Sequence, residues 1–149
     1  MIVLDTSILV YAVGGEHPLR QPSVRLIEAI RRGLLRATTT VEVVQEFAHV
    51  FGRRRDRRDA ARLGRAWAAL LSPLISTEHD DLDRGLALYE ETSRLGAFDA
   101  VLASVAITRG AAALVSADNA FGEVPGLRHI DPATPALDTL LTFTGTVPS

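Results

Sequence analysis

The chain of 149 residues has no cysteine and no lysine. Without cysteine there are no disulfides, no thiolate nucleophile, no iron–sulfur cluster and no cysteine-type zinc site. Without lysine, all sixteen basic residues are arginine. Schiff-base chemistry and a P-loop lysine are thereby excluded, as is the lysine that receiver domains carry beside their phospho-acceptor aspartate. Aromatic residues number only eight, one Trp, two Tyr and five Phe. No apolar run reaches the ~18 residues that a membrane-spanning helix needs. The opening Met1-Ile2-Val3-Leu4-Asp5 lacks a basic n-region and a cleavage site, so a cytoplasmic protein with no membrane association is expected.

What is present is an ordinary globular composition, 47% apolar, with a formal net charge of −2. One domain with a sizeable core fits this length. Residues 1–133 read as that domain and 134–149 as a tail loosened by Pro132 and Pro135, with a last helical turn over Leu137 to Phe143. There is no internal repeat.

Short apolar runs alternate with helical patterns. Ile2 to Asp5, Leu34 to Thr40, Pro73 to Ser76, Ala112 to Ser116 and Leu127 to Ile130 read as strands. Between them, Val41 to Phe51 has an apolar stripe of Val43, Val44, Phe47, Val50 and Phe51. Glu42, Glu46, His49 and Arg53 form a separate polar stripe. Further helices are expected from Pro22, from Asp59 to Leu71, after Thr77 (with Leu82, Leu86, Leu88 and Tyr89 apolar) and from Phe98 to Arg109. Thr6 is placed to cap the first helix. Strands alternating with helices define an α/β fold on a parallel sheet of about five strands.

Three segments carry an acid where a strand hands over to a helix or a helix begins: Asp5, Asp99 and Asp118. A fourth acid, Glu46, stands one turn into the helix that leaves the second strand. Ligands of an open parallel sheet bind beyond the carboxyl ends of its strands, so all four acids can project into one crevice. Four acids without matching bases repel each other unless a cation sits among them. Oxygen donors of this kind suit Mg²⁺ or Mn²⁺ with waters retained, and phosphate-ester hydrolysis. Each acid alone has a plainer reading: Asp at a helix start is usually an N-cap, and Glu46 by itself a solvated helix residue. Their order and spacing together carry the inference. The run Arg53-Arg54-Arg55-Asp56-Arg57-Arg58 reads either as a solvated face or, if near the cleft mouth, as a contact for phosphates through Arg53, Arg54 and Arg57.

On these motifs the chain resembles a PIN domain, specifically a VapC-type toxin ribonuclease of a toxin–antitoxin pair. Val3-Leu4-Asp5-Thr6-Ser7 resembles the family's first acidic motif and Thr39 to Phe47 its second, with Glu46 as the acid. Ala97-Phe98-Asp99-Ala100 resembles the third, and Val115-Ser116-Ala117-Asp118-Asn119-Ala120-Phe121 the fourth. The resemblance runs from Met1 to about Pro132. It implies a three-layer PIN-like sandwich and a Mg²⁺- or Mn²⁺-dependent endoribonuclease cleaving tRNA, rRNA or mRNA. It also implies a homodimer and a small cognate antitoxin that occludes the cleft. Asp5, Glu46, Asp99 and Asp118 would be metal-holding and catalytic, with Ser7, Ser116 and Asn119 orienting water or carboxylates. Two departures stand out. Ala120 replaces a further acid that many relatives carry, which bears on a second metal. Glu42, one turn before Glu46, competes for its role. Two other functions compete with the nuclease: a metal-dependent phosphatase acting on small esters, and a non-catalytic RNA-binding module. The two-aspartate phosphatase motif is missing, because Thr6 and Ser7 follow Asp5, and four clustered acids would be costly in an inert site.

Overall fold

The computed structural model describes residues 1–143; of the expected tail, 144–149 lie outside the described residues. The centre is a parallel sheet of β1 (Ile2–Leu4), β2 (Ala37–Thr38), β3 (Leu114–Val115) and β4 (His129–Ile130), ordered β2-β1-β3-β4. Val3 faces Thr38 on one side and Leu114 on the other. Ile2, Val3, Leu4, Leu114 and Val115 are all at most 1% exposed. A strand covered on both faces reads as a continuous apolar run, which is what these segments are.

Among the described residues seven α-helices flank the sheet: α1 (Thr6–Val13), α2 (Arg20–Arg31), α3 (Val41–Arg54), α4 (Arg57–Leu70), α5 (His79–Glu91), α6 (Ala97–Thr108) and α7 (Pro135–Phe143). A 3-10 helix covers Asn119–Glu123. Within the tail segment, α7 buries Leu137 and Leu140, and its Asp138 accepts a bond from Arg25 of α2 at 2.7 Å.

The expected fifth strand is corrected. Pro73 to Ser76 forms only an isolated bridge, Ile75 to Thr40. Pro73 has no N–H to give to a ladder, and Ile75 is the one residue that both donates to Thr39 and accepts from Val41. The cap of α1 is also corrected: Asp5, not Thr6, occupies the N-cap, accepting from the Ser7 N–H. The apolar residues expected to bury α5 are in fact split. Leu88 is half-buried, while Leu82, Leu86 and Tyr89 are 43–47% exposed. The buried face of α5 is instead Asp81 and Gly85.

This inversion has a physical origin in how α5 meets α6. A Cβ on Gly85 would lie 2.6 Å from the Val101 Cα, so the two helices approach to backbone contact. Asp81, 1% exposed, is held beside this contact by Arg109, whose Nη1 and Nη2 donate to its two oxygens at 2.9 and 2.7 Å. The Thr108 hydroxyl and the Glu78 N–H also donate to Asp81, each at 3.0 Å. The Arg109 guanidinium, bonded to it directly, holds the Asp81 carboxyl down at about 2. α6 is Ala-rich and packs on α5; Ala100 and Leu102 to Ala106 are buried, while Ala97 and Phe98 at one end and Ile107 and Thr108 at the other are exposed.

α3 and α4 form an antiparallel hairpin over an aromatic cluster. The Phe47 ring stacks on Phe51 at 5.4 Å and meets Trp67 edge-on at 6.1 Å. The tip carries the arginine run, with Asp56 capping α4 through the Arg58 N–H at 3.2 Å.

Because the α5–α6 contact leaves no room for a side chain, Gly85→Ala should destabilise the protein by about 1–3 kcal/mol through overpacking. Urea unfolding reads this as a lower midpoint at unchanged slope; an unaltered midpoint would mean the helices are not in contact there.

Candidate active site

The switch in strand order falls between β1 and β3, where connections leave the sheet to opposite sides, and the crevice beyond it is the expected ligand position. Asp5 emerges there from β1, its N–H donating to the Val115 carbonyl at 3.0 Å. Ser116 emerges beside it from β3. Its hydroxyl donates to Asp5 Oδ2 at 2.7 Å and accepts from the Asp118 N–H at 3.0 Å. The Ser7 hydroxyl also donates to Asp5 Oδ2, at 2.8 Å, and accepts from the Ala117 N–H at 3.2 Å. The two serines thus tie the first acidic segment to the last. Asn119 is exposed and bonds to none of the four acids.

The threonines ending β2 aim α3 into the same crevice. Thr39 donates to the Leu4 carbonyl at 2.6 Å, fixing β2 against the end of β1, and Thr40 caps α3 by accepting from the Val43 N–H at 3.2 Å. One turn later Glu46 Oε2 accepts from the Thr6 hydroxyl. Glu42 points elsewhere: its Oε2 accepts from Thr77 at 3.0 Å. Asp99 lies in the first turn of α6, whose dipole favours an anion there. Asp118 caps the 3-10 helix, accepting from the Ala120 N–H at 2.9 Å.

Capping and ligand geometry therefore coexist in this site. Asp5 and Asp118 each commit one oxygen to local bonds and Glu46 commits one to Thr6. Asp5 Oδ1, Glu46 Oε1, Asp118 Oδ2 and the Asp99 carboxyl take no hydrogen bond among the described residues, and no arginine or histidine there forms an ion pair with any of the four acids. Burial pushes Asp99 up to about 7, and the charges of Asp5, Asp118 and Glu46 push it in the same direction. Glu42 is not among the groups acting on Asp99. Among the described residues no three acidic or histidine side chains converge closely enough, as they stand, to enclose a metal directly. A hard cation that keeps part of its water shell is compatible with that spacing, some acids then reaching it through water. The uncommitted oxygens and the missing counter-charge fit such an ion.

Two participants escape a reading of the sequence. Thr6, 7% exposed, sits next to a motif acid yet serves Glu46, forty residues away. His129 Nε2 lies 2.9 Å from the Ser116 carbonyl, supporting the strand end that carries the serine. No local pattern marks either role. Of the arginines at the α3–α4 tip, Arg53 lies on the Glu46 face two turns on, while Arg54 points off that stripe and Arg57 opens α4.

A parallel sheet with acids beyond its carboxyl edge is an arrangement several α/β folds share; the PIN domain model matches residues 2–127, and the chain belongs to this family. Within it, the sequence is 51% identical to Ribonuclease VapC7 of Mycobacterium tuberculosis (strain ATCC 25618 / H37Rv), over 95% of this chain and 98% of that protein. Ribonuclease VapC23 of the same species and strain is 30% identical over 80% of this chain and 94% of its own. Among solved structures, the fold is shared with VapBC2 from Rickettsia felis, bound to a promoter DNA fragment (TM-score 0.70, 20% identity, covering 87% of this chain and 98% of that one). It is also shared with Mycobacterium tuberculosis VapC20, a Sarcin-Ricin loop cleaving toxin (TM-score 0.68, 17% identity, covering 82% and 93%).

The shift at Asp99 has a measurable consequence in metal-free protein. Its carboxyl lies near 7 when folded against 3.8 as a free group. Between those values the folded state holds a proton that the unfolded state has released, so this contribution to stability falls as pH rises from about 4 to about 7 and then levels off. Asp99→Asn removes the effect. In EDTA, D99N should gain several degrees of melting temperature over wild type at pH 8 and little at pH 4.5. A difference that does not vary with pH would place Asp99 away from the other acids.

Proposed function

We propose that the chain is a VapC-type endoribonuclease toxin whose activity depends on Mg²⁺ or Mn²⁺ held by Asp5, Glu46, Asp99 and Asp118. The observation that carries this reading is the set of four acids with uncommitted oxygens and no ion-pair partner among the described residues, one of which, Asp99, is pushed up to about 7 by burial first and by the charges of the other three in addition. A divalent cation would supply the positive charge that a phosphodiester needs in order to accept a nucleophile, and would acidify water. The chain's own part is positional. Ser7 and Ser116 hold Asp5, Thr6 holds Glu46, and the N-terminal turn of α6 presents Asp99. Attack by water leaves a 5′-phosphate and a 3′-hydroxyl; attack by the RNA's own 2′-hydroxyl would leave a cyclic phosphate. With Ala120 after Asp118 in place of a further acid, we assign one cation rather than two.

The substrate in this reading is cellular RNA, met through Arg53, Arg54 and Arg57 at the hairpin tip, which pair with no carboxylate among the described residues. The partner is a small antitoxin that brings an arginine into the acidic cleft, where a guanidinium can pair bidentately with carboxylates. Several structural neighbours are toxin–antitoxin complexes, including one from Klebsiella pneumoniae. A second copy of the chain is assigned to the groove of about 440 Å³ between α5 and α6, where Leu82, Leu86 and Phe98 stand open to solvent. No helix among the described residues is long and apolar enough to cross a membrane.

Purified protein incubated with mixed cellular RNA tests the reading. Cleavage should require Mn²⁺ or Mg²⁺ and stop in EDTA. Asp99→Asn or Asp118→Asn should slow it at least ~100-fold, since a misplaced cation forfeits several kcal/mol of transition-state stabilisation. Glu46→Gln should be severe and Glu42→Gln mild. Undiminished cleavage in EDTA, or near-normal D118N, would contradict the assignment; an E42Q defect exceeding that of E46Q would transfer the ligand role to Glu42.

A further inference from the structure

The hairpin of α3 and α4 encloses a cleft of about 400 Å³ with a floor of Ala48, Gly52 and Ala60 and a rim of His49, Arg53 and Arg57. The floor follows from how the helices pack: a Cβ on Gly52 would stand 3.4 Å from the Ala60 Cβ, and a Cβ on Gly64 would stand 3.8 Å from the Ala48 Cβ. Small residues on both helices bring them together and leave room above for an anion. Two of the three rim groups are cations, and neither has an ion-pair partner among the described residues. Acids do lie nearby, but they are committed. Asp56 caps α4, and Asp59 pairs with Arg62 at 3.3 Å. Elsewhere Arg25, Arg94 and Arg109 have a carboxylate and most of the other arginines have none among the described residues, so it is the cavity beneath Arg53 and Arg57 that sets these two apart. The arginines of this rim line a cavity and pair with no carboxylate among the described residues.

The cleft continues the polar stripe of α3. His49 and Arg53 follow Glu46 by three and seven residues, on the same face of the helix. At 1.5 Å per residue they stand ~4.5 and ~10.5 Å along the axis from the acid. A stacked nucleic-acid strand advances ~3.4 Å per phosphate, so this offset corresponds to roughly one to three nucleotides.

We propose that His49, Arg53 and Arg57 form a pocket for one backbone phosphate of the RNA substrate, one to three nucleotides from the phosphate that meets the four acids. This rests on the ribonuclease reading and refines it. Of the arginine run, Arg53 and Arg57 line the pocket and grip this phosphate, while Arg54 lies outside it and adds only general positive charge at the hairpin tip. His49, which looks like an ordinary surface residue in the sequence, joins them. The pocket fixes the strand's register without reading bases, which suits a chain with few aromatic side chains for stacking. Engagement of this phosphate would set the distance from the gripped nucleotide to the cut.

The test compares two double variants that remove the same charge. Arg53→Gln/Arg57→Gln empties the pocket, and Arg54→Gln/Arg58→Gln spares it. Binding of a fluorescent single-stranded RNA of mixed sequence is followed in EDTA across a salt series. R53Q/R57Q should lower the salt slope by about 0.7, one phosphate contact, and weaken binding ~10-fold; R54Q/R58Q should do less than half as much. With Mn²⁺, R53Q/R57Q should raise KM ~10-fold and leave kcat within about twofold. Equal effects of the two double variants, in a protein that binds and cleaves RNA, would overturn the pocket and leave the nuclease reading standing. Failure of the wild type to bind or cleave RNA would overturn both. If R53Q/R57Q binds RNA normally but loses the antitoxin, the cleft serves the protein partner and the proposal is wrong.

Discussion

The hydroxyl groups of Thr6, Ser7 and Ser116 hold Glu46 and Asp5 in a crevice where no arginine or histidine forms an ion pair with them among the described residues. A hydroxyl can orient a carboxylate without cancelling its charge. An arginine in the same place would relieve the repulsion and also fill the position a cation needs. The protein does use the arginine solution elsewhere: Asp81 is bonded bidentately by Arg109 and its carboxyl is depressed to about 2. Asp99 is raised to about 7. The two aspartates are shifted in opposite directions: the guanidinium bonded to Asp81 lowers it against its burial, whereas Asp99 has no such partner and is raised by burial and, in addition, by three neighbouring anions. The first arrangement fastens α5 to α6, and the second keeps a site open.

The scaffold serves this contrast. β1 and β3 pair in a register that brings Asp5 and Ser116 out side by side, and Thr39 bonds β2 to the end of β1 so that α3 departs toward them. α6 must enter the same crevice with Asp99 in its first turn, and its position is set from behind by the Gly85–Val101 contact and the Asp81–Arg109 pair. Strands of two or three residues are sufficient because the helices and side-chain bonds, more than a long ladder, fix the strand ends.

Much of this was legible in the sequence. The strands β1 and β3 read as short apolar runs because both their faces are covered, and the four acids stood out because each follows a strand end or opens a helical turn. The pairing of Thr6 with Glu46 was not legible, since nothing local marks a hydroxyl whose partner is forty residues away. Leu82, Leu86 and Tyr89 misled for a related reason. Their spacing is that of a buried stripe, yet the inward face of α5 belongs to a glycine and an ion-paired aspartate. Periodicity reports an apolar face and does not say whether the surface covering it lies within the chain. The strand expected at Pro73 to Ser76 failed because apolar character cannot replace the N–H that proline lacks.

The central claim is that the four acids form one cation site in the folded protein. Titration calorimetry of Mn²⁺ into wild type and into D5N/D118N, at neutral pH and with melting curves on the same samples, tests it most directly. Wild type should bind one Mn²⁺. At ~100 times the dissociation constant, the ion should stabilise it by roughly 2.7 kcal/mol, raising the melting temperature by several degrees. The double variant should remain folded and show neither heat nor shift. Equal heats and equal shifts in the two proteins would mean that the acids do not share a site.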